Sequence, residues 1–297
     1  MIRPEPLGGL EVLTDPVRDR AARAADSAAV AARVVVRELV ELPELEDVVR
    51  LYVEIWGRGS NPQVSVELLR ALTKAGNYVG GAFDGPRLVG ACVGFFHAPA
   101  EDALHSHIAG VSRNGTGHGV GFALKLHQRS WALQRGVSEV AWTFDPLVSR
   151  NAYFNLVKLG AQTDEYLPNF YGPMTDSIND GDESDRLLVR WQLADPAVAA
   201  ACDRAAAGSS SAESEVAAGA VVALGRSGAG KPVAGRSTGT TCLVAVPADI
   251  EALRVTEPAI ARQWRTAVRE TLAELLSDGA RITGFDRAGW YVVRRGE

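Results

Sequence analysis

Apolar and polar positions along the chain form blocks that predict strands and helices in alternation. Short apolar runs between turn residues predict strands, and apolar residues spaced three and four apart predict helices. The turn Asp84-Gly85-Pro86 separates two apolar runs, which favours a hairpin. The predicted strands are 34–39, 78–83, 88–96, 104–111, 137–144, 241–246, 281–285 and 290–293, the predicted helices are 43–56, 66–75, 120–134, 151–159 and 258–276, and a further hairpin is predicted between 166 and 192.

This pattern weakens at the N-terminus and again after residue 193, which suggests four regions. Residues 1–30 are rich in Ala, Arg and Asp and lack an apolar stripe, so a flexible or weakly helical N-terminal tail is predicted. Residues 31–193 carry the predicted main domain. Ala, Gly and Ser dominate residues 194–240, predicting a low-complexity, partly ordered connection. Residues 241–297 predict a strand–helix–strand extension packed on the main domain.

Composition narrows the classes of function. The 297 residues are 46% hydrophobic with a net charge of −5, which disfavours nucleic-acid binding by bulk charge. No apolar segment approaches 18 residues, so no membrane partner is predicted. The N-terminal residues do not resemble a signal peptide, and three widely spaced cysteines suit a reducing cytoplasm without a metal site. We expect a cytoplasmic monomer or homodimer.

The segment from Val111 to Phe122 carries the main chemical signal. It reads V-S-R-N-G-T-G-H-G-V-G-F and joins a predicted strand to a predicted helix. Glycines at a helix N-terminus expose backbone N–H groups, and the helix dipole adds to their attraction for anions. The segment therefore predicts a phosphate-bearing ligand.

Two motifs with the element order between them resemble the GNAT acyltransferase superfamily over residues 34–192. The family's phosphate turn commonly reads V-x-P-x-x-R-G-x-G-I-G, and Val111–Gly121 has identical spacing. The family's later motif N-x-x-A/S…Y-x-K-L-G-F is matched in part by residues 151–161, N-A-Y-F-N-L-V-K-L-G-A. Further segments, including Trp142–Leu147, resemble a branch of predicted acetyltransferases within that superfamily.

The resemblance implies an α+β fold with a mixed, mostly antiparallel twisted sheet flanked by helices, here with a C-terminal α/β extension. It implies an acyl-CoA donor, acetyl-CoA or one with a larger or acidic acyl group such as succinyl-CoA, whose pantetheine arm lies in a V between strands 104–111 and 137–144. We expect the acceptor to be the amine of a small molecule, an amino acid or a derivative. The cofactor-binding residues that it implies are Ala109, Gly110, Val111, Ser112, Arg113, Thr116, Gly117, His118, Gly119, Val120, Gly121, Phe122, Asn151 and Phe154.

Two positions depart from the family pattern. Thr116 stands where Arg or Gln is usual, which removes one phosphate contact unless Arg113 replaces it. Leu156 stands where the family often has a tyrosine that protonates the leaving thiolate. Tyr153 or Tyr171 are alternative acids, and solvent is another.

Catalytic and substrate-binding candidates lie on the walls of the implied acyl site. His107 is a candidate base, or a histidine held by a backbone carbonyl. Asp145 is a candidate contact for the substrate ammonium, or a turn residue before Pro146. Tyr171 is a catalytic candidate and, with Asn169 and Arg186, a substrate-binding candidate. Arg186 either binds a substrate carboxylate through two hydrogen bonds, pairs with Asp185 or stacks on a nearby aromatic ring.

Other functions remain open. A non-catalytic acyl-CoA-binding sensor or interaction module would explain both departures, and a protein lysine or N-terminal acyltransferase would need an open acidic groove. Arg262, Arg265 and Arg269 share one helical face, either as a solvated row or as a ridge reaching an acidic group. The segment Gly225–Pro232 imitates a phosphate loop but ends in Pro where Ser or Thr would hold magnesium, so it is not interpreted as one.

Overall fold

The computed structural model describes residues 15–57, 63–98, 100–172, 183–203 and 211–296. Its helices are α1 (Pro16–Ala31), α2 (Leu42–Trp56), α3 (Val66–Lys74), α4 (Val120–Gln134), α5 (Ser149–Ala152), α6 (Pro196–Asp203), α7 (Ala212–Ala217), α8 (Ile250–Thr256) and α9 (Pro258–Ser277). A 3-10 turn covers Arg113–Gly115, and a π-helical segment, Tyr153–Lys158, continues α5. The strands are β1 (Val35–Glu38), β2 (Tyr78–Asp84), β3 (Arg87–Phe96), β4 (Ala103–Val111), β5 (Glu139–Phe144), β6 (Gln162–Leu167), β7 (Arg186–Gln192), β8 (Val221–Arg226), β9 (Pro232–Ala234), β10 (Thr241–Ala245), β11 (Ala280–Asp286) and β12 (Trp290–Arg295).

The first sheet has seven strands among the described residues, in the order β1-β2-β3-β4-β5-β7-β6. Its neighbours are antiparallel except β4 and β5, which run parallel. The predicted Asp84-Gly85 turn joins β2 and β3, with Gly85 at φ +57°, where an L side chain is unfavourable. The predicted α+β class, with a mixed and mostly antiparallel sheet, is confirmed.

Helices cover both faces of this sheet. On one face α2 and α3 close a core that contains Leu45, Tyr52 and Leu69. On the other face Ala123 and Leu124 of α4 pack against Leu104 of β4. The first-sheet strands are thus buried on both sides near the middle, which explains their long apolar runs.

In the described part of the predicted flexible or weakly helical tail, residues 16–30 form a helix that packs on the rest of the fold. Asp15 caps α1 by accepting the N–H of Val17 at 3.0 Å, and Pro16 occupies the first turn. Ala21, Ala24 and Ala25 are buried, and α1 packs along α4. Small alanines permit close packing of two helices but make a weak apolar signal in the sequence.

The second sheet has five strands among the described residues, in the order β11-β12-β10-β8-β9. Strands β8 and β9 come from residues 194–240, where a low-complexity connection is predicted, so ordered sheet begins before residue 241. Helix α9 covers this sheet through Trp264, Val268 and Leu272, all fully buried. The Tyr291 hydroxyl donates to the carbonyl of Pro146 at 2.7 Å, linking the second sheet to the end of β5.

Among the described residues, no helix combines the length and apolar character needed to cross a membrane.

Candidate functional site

Strands β4 and β5 separate partway along their length. They pair at Ala103–Glu139, Leu104–Val140 and His105–Ala141, whereas β4 continues to Val111 and β5 to Phe144. Beyond this point β5 keeps its pairing with β7, and the described chain places no strand beside β4 on the β5 side. The two strands therefore form a V whose apex lies at His105 and Ala141.

A β-bulge in β4 lies immediately after the apex. Val93 pairs with Ile108 and Gly94 with Ser106, so His107 has no opposite residue on β3. A bulge inserts one residue and changes which side chains face each side of the sheet. Ser106 consequently contacts α4, while Ile108 joins the core under α2.

The glycine turn connects the open end of the V to α4. Gly117 and Gly119 both have φ +84°, a conformation that glycine adopts without strain. Gly119 is the N-cap of α4, and the first intrahelical bond runs from Ala123 N–H to the Gly119 carbonyl at 3.0 Å. The N–H groups of the preceding first-turn residues have no intrahelical acceptor and can bind an anion.

Hydrogen bonds between Ser112 and Thr116 stabilise the glycine turn. The Ser112 carbonyl accepts the Thr116 N–H at 3.1 Å and the Thr116 hydroxyl at 3.0 Å. The Thr116 side chain thus stabilises the turn through a hydrogen bond to its own loop. Ser112 is 1% exposed, and its hydroxyl has no hydrogen-bond partner, which fits a ligand that approaches this turn.

The remaining cofactor-binding candidates surround the V and the turn. On β4, Ala109 is exposed, and a side chain at Gly110 would meet Ile55 of α2 within 2.8 Å. Phe122, in the first turn of α4, faces Phe154 of the π-helical segment edge-to-face at 6.5 Å between ring centroids. The other candidates comprise exposed Arg113 and His118, buried Val120, and partly buried Val111, Gly121 and Asn151.

His107 and Tyr171 reach the surface on the other side of the sheet from α4. The His107 ring lies 5.7 Å from Phe95 and 6.1 Å from His105, between ring centroids. Desolvation lowers the pKa of His107. Desolvation, together with the nearby imidazoles of His107 and His97, lowers the pKa of His105 to about 4. The Tyr171 hydroxyl lies 3.3 Å from the Thr143 hydroxyl of β5.

Asp145 does not fit the predicted contact to a substrate ammonium, and that expectation is corrected. Its carboxylate is 8% exposed and pairs with Arg254 at 2.5 Å and with Arg265 at 2.8 and 2.9 Å. It also accepts the Leu147 N–H at 2.9 Å. Burial would raise the pKa of Asp145, but the two guanidinium groups outweigh burial and hold it well below the usual range. Asp145 therefore joins the two sheets.

Asn169 and Arg186 are likewise used within the protein, against their predicted role in substrate binding. The Asn169 side chain accepts the Ser184 N–H at 3.3 Å, which fixes the loop that carries Tyr171. Arg186 is 8% exposed and donates to the Asp185 carbonyl at 2.8 Å. Its guanidinium carbon lies 5.3 Å from the centroid of the Tyr171 ring. An incoming carboxylate would have to displace these contacts.

The predicted arginine ridge of α9 is divided among different environments. Arg265 is buried on Asp145, and Arg269 pairs with Asp185 at 2.6 Å and with Glu183. Only Arg262 of the three is exposed. The ridge therefore anchors the loop before β7 and does not present a surface for an acidic acyl group.

Lys125 of α4 is a buried cation that sequence reasoning missed. Its ammonium donates to Gln128 at 2.7 Å and to Ser106 at 3.1 Å, and lies 3.8 Å from the Trp142 ring centroid. Burial lowers the pKa of Lys125 to about 8. Lys125 lies on the side of α4 that faces β4 and β5, so the sheet buries it. Lysine is almost always found at exposed positions, and a lysine in a predicted helix therefore gives no signal of burial.

Replacing Lys125 with Met is expected to stabilise the protein by about 1–3 kcal/mol at pH 7. Each unit by which folding lowers a lysine pKa costs about 1.4 kcal/mol, and the lost bonds to Ser106 and Gln128 offset part of the gain. Below pH 8 Lys125 is charged in both states, so the difference is largest there. Between pH 8 and 10.5 the folded state loses the proton first, and the difference closes.

Chemical denaturation at pH 7 and pH 10 measures this change. Lys74→Met is the matched control, because Lys74 is exposed at the end of α3 and its substitution should change stability by under 0.5 kcal/mol. A loss of stability in Lys125→Met at pH 7 would contradict the expectation.

The mixed strand order, the V between β4 and β5, and the glycine turn at its open end agree with the α+β arrangement that the resemblance in the sequence implies. Among the described residues, no cluster of His, Cys, Asp and Glu has the arrangement of a metal site.

Solved structures of N-acetyltransferases are similar to part of this chain. The ribosomal-protein-S18-alanine N-acetyltransferase from Escherichia coli matches at 17% identity and TM-score 0.43, covering 54% of this chain and 94% of that one. An N-acetyltransferase from Staphylococcus aureus Mu50 matches at 12% and 0.45, covering 54% and 98%. An acetyltransferase of the GNAT family from Streptococcus pneumoniae matches at 13% and 0.44, covering 53% and 97%. No protein-family model matches the sequence, and no curated protein matches it.

Proposed function

We propose that this protein transfers an acyl group from an acyl-CoA thioester to the amine of a small molecule. The observation that carries the proposal is the position of the glycine turn at the open end of the V. With the diphosphate of acyl-CoA bound at the N-terminus of α4, its extended pantetheine arm would lie along the unpaired side of β4. From Val111 to Ser106 this side spans about 17 Å at 3.3 Å per residue, so the arm leads toward the apex.

The acceptor amine would approach from the face that carries His107 and Tyr171. Acyl-CoA supplies the acyl carbon; the amine nitrogen bonds to it as the carbon–sulfur bond breaks. His107 would accept the proton that the amine loses, and the Tyr171 hydroxyl would give a proton to the leaving sulfur. Backbone N–H groups near the β4 bulge would stabilise negative charge on the carbonyl oxygen. An amino acid or a derivative is the acceptor class that we propose, with acetyl as the acyl group.

An assay of free-thiol release tests this proposal. Acetyl-CoA and succinyl-CoA are incubated with the protein and a panel of amino acids, their derivatives and lysine peptides. The proposal predicts amine-dependent release of CoA, fastest with a small amine. Release only with peptides would instead indicate a protein acyltransferase, and no amine-dependent release at all would contradict the catalytic proposal.

A non-catalytic acyl-CoA sensor is the second candidate. Two observations favour it: the Thr116 hydroxyl is bonded inside the turn, and Leu156, at the family's usual tyrosine position, packs against the hydrophobic core. Tight binding of acetyl-CoA without turnover would support the sensor.

His107→Gln is expected to lower kcat/KM about 100-fold, the lower end of typical general-base effects. Since the pKa of His107 is lowered, the base is neutral at pH 7 and the acidic limb of the wild-type kcat/KM profile should lie below pH 6.5. His97→Gln is the control, because His97 belongs to the same ring cluster and bonds to exposed Glu101 at 2.7 Å. Wild-type kcat/KM in His107→Gln would remove His107 from the mechanism.

A further inference from the structure

A cavity of about 600 Å³ lies between the π-helical segment and the C-terminal region. One wall comes from α5 and the π-helical segment, including Tyr153, Phe154 and Lys158. The other comes from residues 248–250, at the start of α8, and from Arg287, in the turn between β11 and β12. The cavity is therefore lined by residues that follow β5 of the first sheet and by residues that follow β10 and β11 of the second.

Four charged side chains line this cavity: Arg150, Lys158, Asp249 and Arg287. Arg150 is held by Glu251 through two bonds of 2.8 and 2.6 Å. The Asp249 carboxylate accepts the Ala252 N–H at 2.9 Å, which caps α8. In the part of the chain that the structure describes, no carboxylate lies within ion-pair distance of Lys158 or Arg287.

Arg287 is arranged to bind a phosphate. Its guanidinium carbon lies 4.6 Å from the centroid of the Tyr153 ring. Stacking on an aromatic ring holds the guanidinium plane while leaving its N–H edges available for two parallel bonds to a phosphate. Lys158 adds a second positive charge, and the Tyr153 and Phe154 rings offer surfaces on which a nucleobase can stack.

The cavity adjoins the glycine turn through a pair of rings. Phe154 lines the cavity and also meets Phe122, in the first turn of α4, at 6.5 Å. The cavity therefore begins at a ring that packs directly against the first turn of α4, where the diphosphate is proposed to bind.

We infer that the C-terminal region completes the donor site: the cavity binds the 3′-phosphorylated nucleotide end of acyl-CoA, with Arg287 and Lys158 on the 3′-phosphate. This inference rests on the proposed function. It assigns a role in ligand binding to a residue far from the glycine turn in sequence, and it accounts for the position of the β11–β12 turn beside the π-helical segment.

Calorimetric titration with CoA and with 3′-dephospho-CoA tests the inference in the wild type and in the double variant Arg287→Ala/Lys158→Ala. The wild type should bind CoA at least tenfold more tightly than 3′-dephospho-CoA. The double variant should bind CoA as weakly as 3′-dephospho-CoA, with its affinity for the latter unchanged within twofold. Arg262→Ala, which removes an exposed charge from α9, should behave as wild type.

Three outcomes would overturn the inference. They are equal affinity of the wild type for both ligands, unchanged CoA binding in the double variant, and an equal loss of both ligands in that variant. The first two leave the proposed function standing if CoA still binds. Absence of binding of either ligand to the wild type would overturn the proposed function together with the inference.

Discussion

Asp145→Asn is expected to lower the free energy of unfolding by about 3–5 kcal/mol at pH 7, the usual cost of removing one partner from a buried ion pair. The substitution keeps the shape of the side chain but removes the charge that faces Arg254 and Arg265. These arginines belong to α8 and α9, so the loss weakens the junction between the two sheets. The arginines stay buried without the carboxylate that compensates them.

The dependence of this effect on pH follows from the lowered pKa of Asp145. A carboxylate whose folded pKa lies below its unfolded value of about 3.9 contributes its full stability above that value. The contribution is lost as the pH falls toward the folded pKa. The gap between wild type and variant should therefore stay constant from pH 5 to 8 and narrow below pH 4.

Urea denaturation of Asp145→Asn beside Asp164→Asn measures the effect. Asp164 pairs with Arg190 at 2.8 Å, but both side chains are about 40% exposed, so that control should lose under 1 kcal/mol. A loss below 1 kcal/mol in Asp145→Asn would show that the buried ion cluster does not hold the two sheets together.

Gly119→Trp is expected to weaken acetyl-CoA binding at least 100-fold. An indole at the N-cap of α4 would occupy the space in front of the first-turn N–H groups, where the diphosphate is proposed to bind. The positive φ of Gly119 adds about 1–2 kcal/mol of strain for any L side chain, so stability needs a control.

Gly76→Trp supplies that control. Gly76 has φ +82°, and a Cβ there would have no atom within 4 Å; it follows α3, far along the chain from the glycine turn. Both variants should lose a similar amount of thermal stability, and only Gly119→Trp should lose acetyl-CoA binding by calorimetry. Retained affinity in Gly119→Trp would place the ligand elsewhere.

The elements around the V could be predicted from the sequence because their signals are local. The bounds of α4 follow from Gly119 before it and Gly136 after it, and the β2–β3 hairpin follows from Asp84 and Gly85. The helix predicted over 151–159 is present only as α5 and the π-helical segment. Its wider turn places Asn155 where the amide accepts the Trp142 indole N–H at 3.3 Å, a contact that helical periodicity does not encode.

Features that depend on distant residues could not be predicted in this way. Asp145 meets Arg254 and Arg265 across 109 and 120 residues of sequence, so its turn position suggested a free carboxylate. The buried residues of α1 are all alanines, which give a weak apolar signal in the sequence. The burial of Lys125 also depends on distant residues, because its ammonium contacts Ser106 of β4 and Trp142 of β5. The backbone elements of the candidate site can thus be predicted from the sequence. The partners of the side chains that contact the C-terminal region can be identified only from the structure.

A backbone-amide NMR titration of the wild-type protein with acetyl-CoA tests the central claim most directly, since it reports where the ligand lies. The largest shifts are expected at the N–H groups of residues 117–122 and along β4 from Ser106 to Val111, with smaller shifts at Phe154. No shifts at millimolar acetyl-CoA, or shifts confined to residues outside the V and the glycine turn, would contradict the claim.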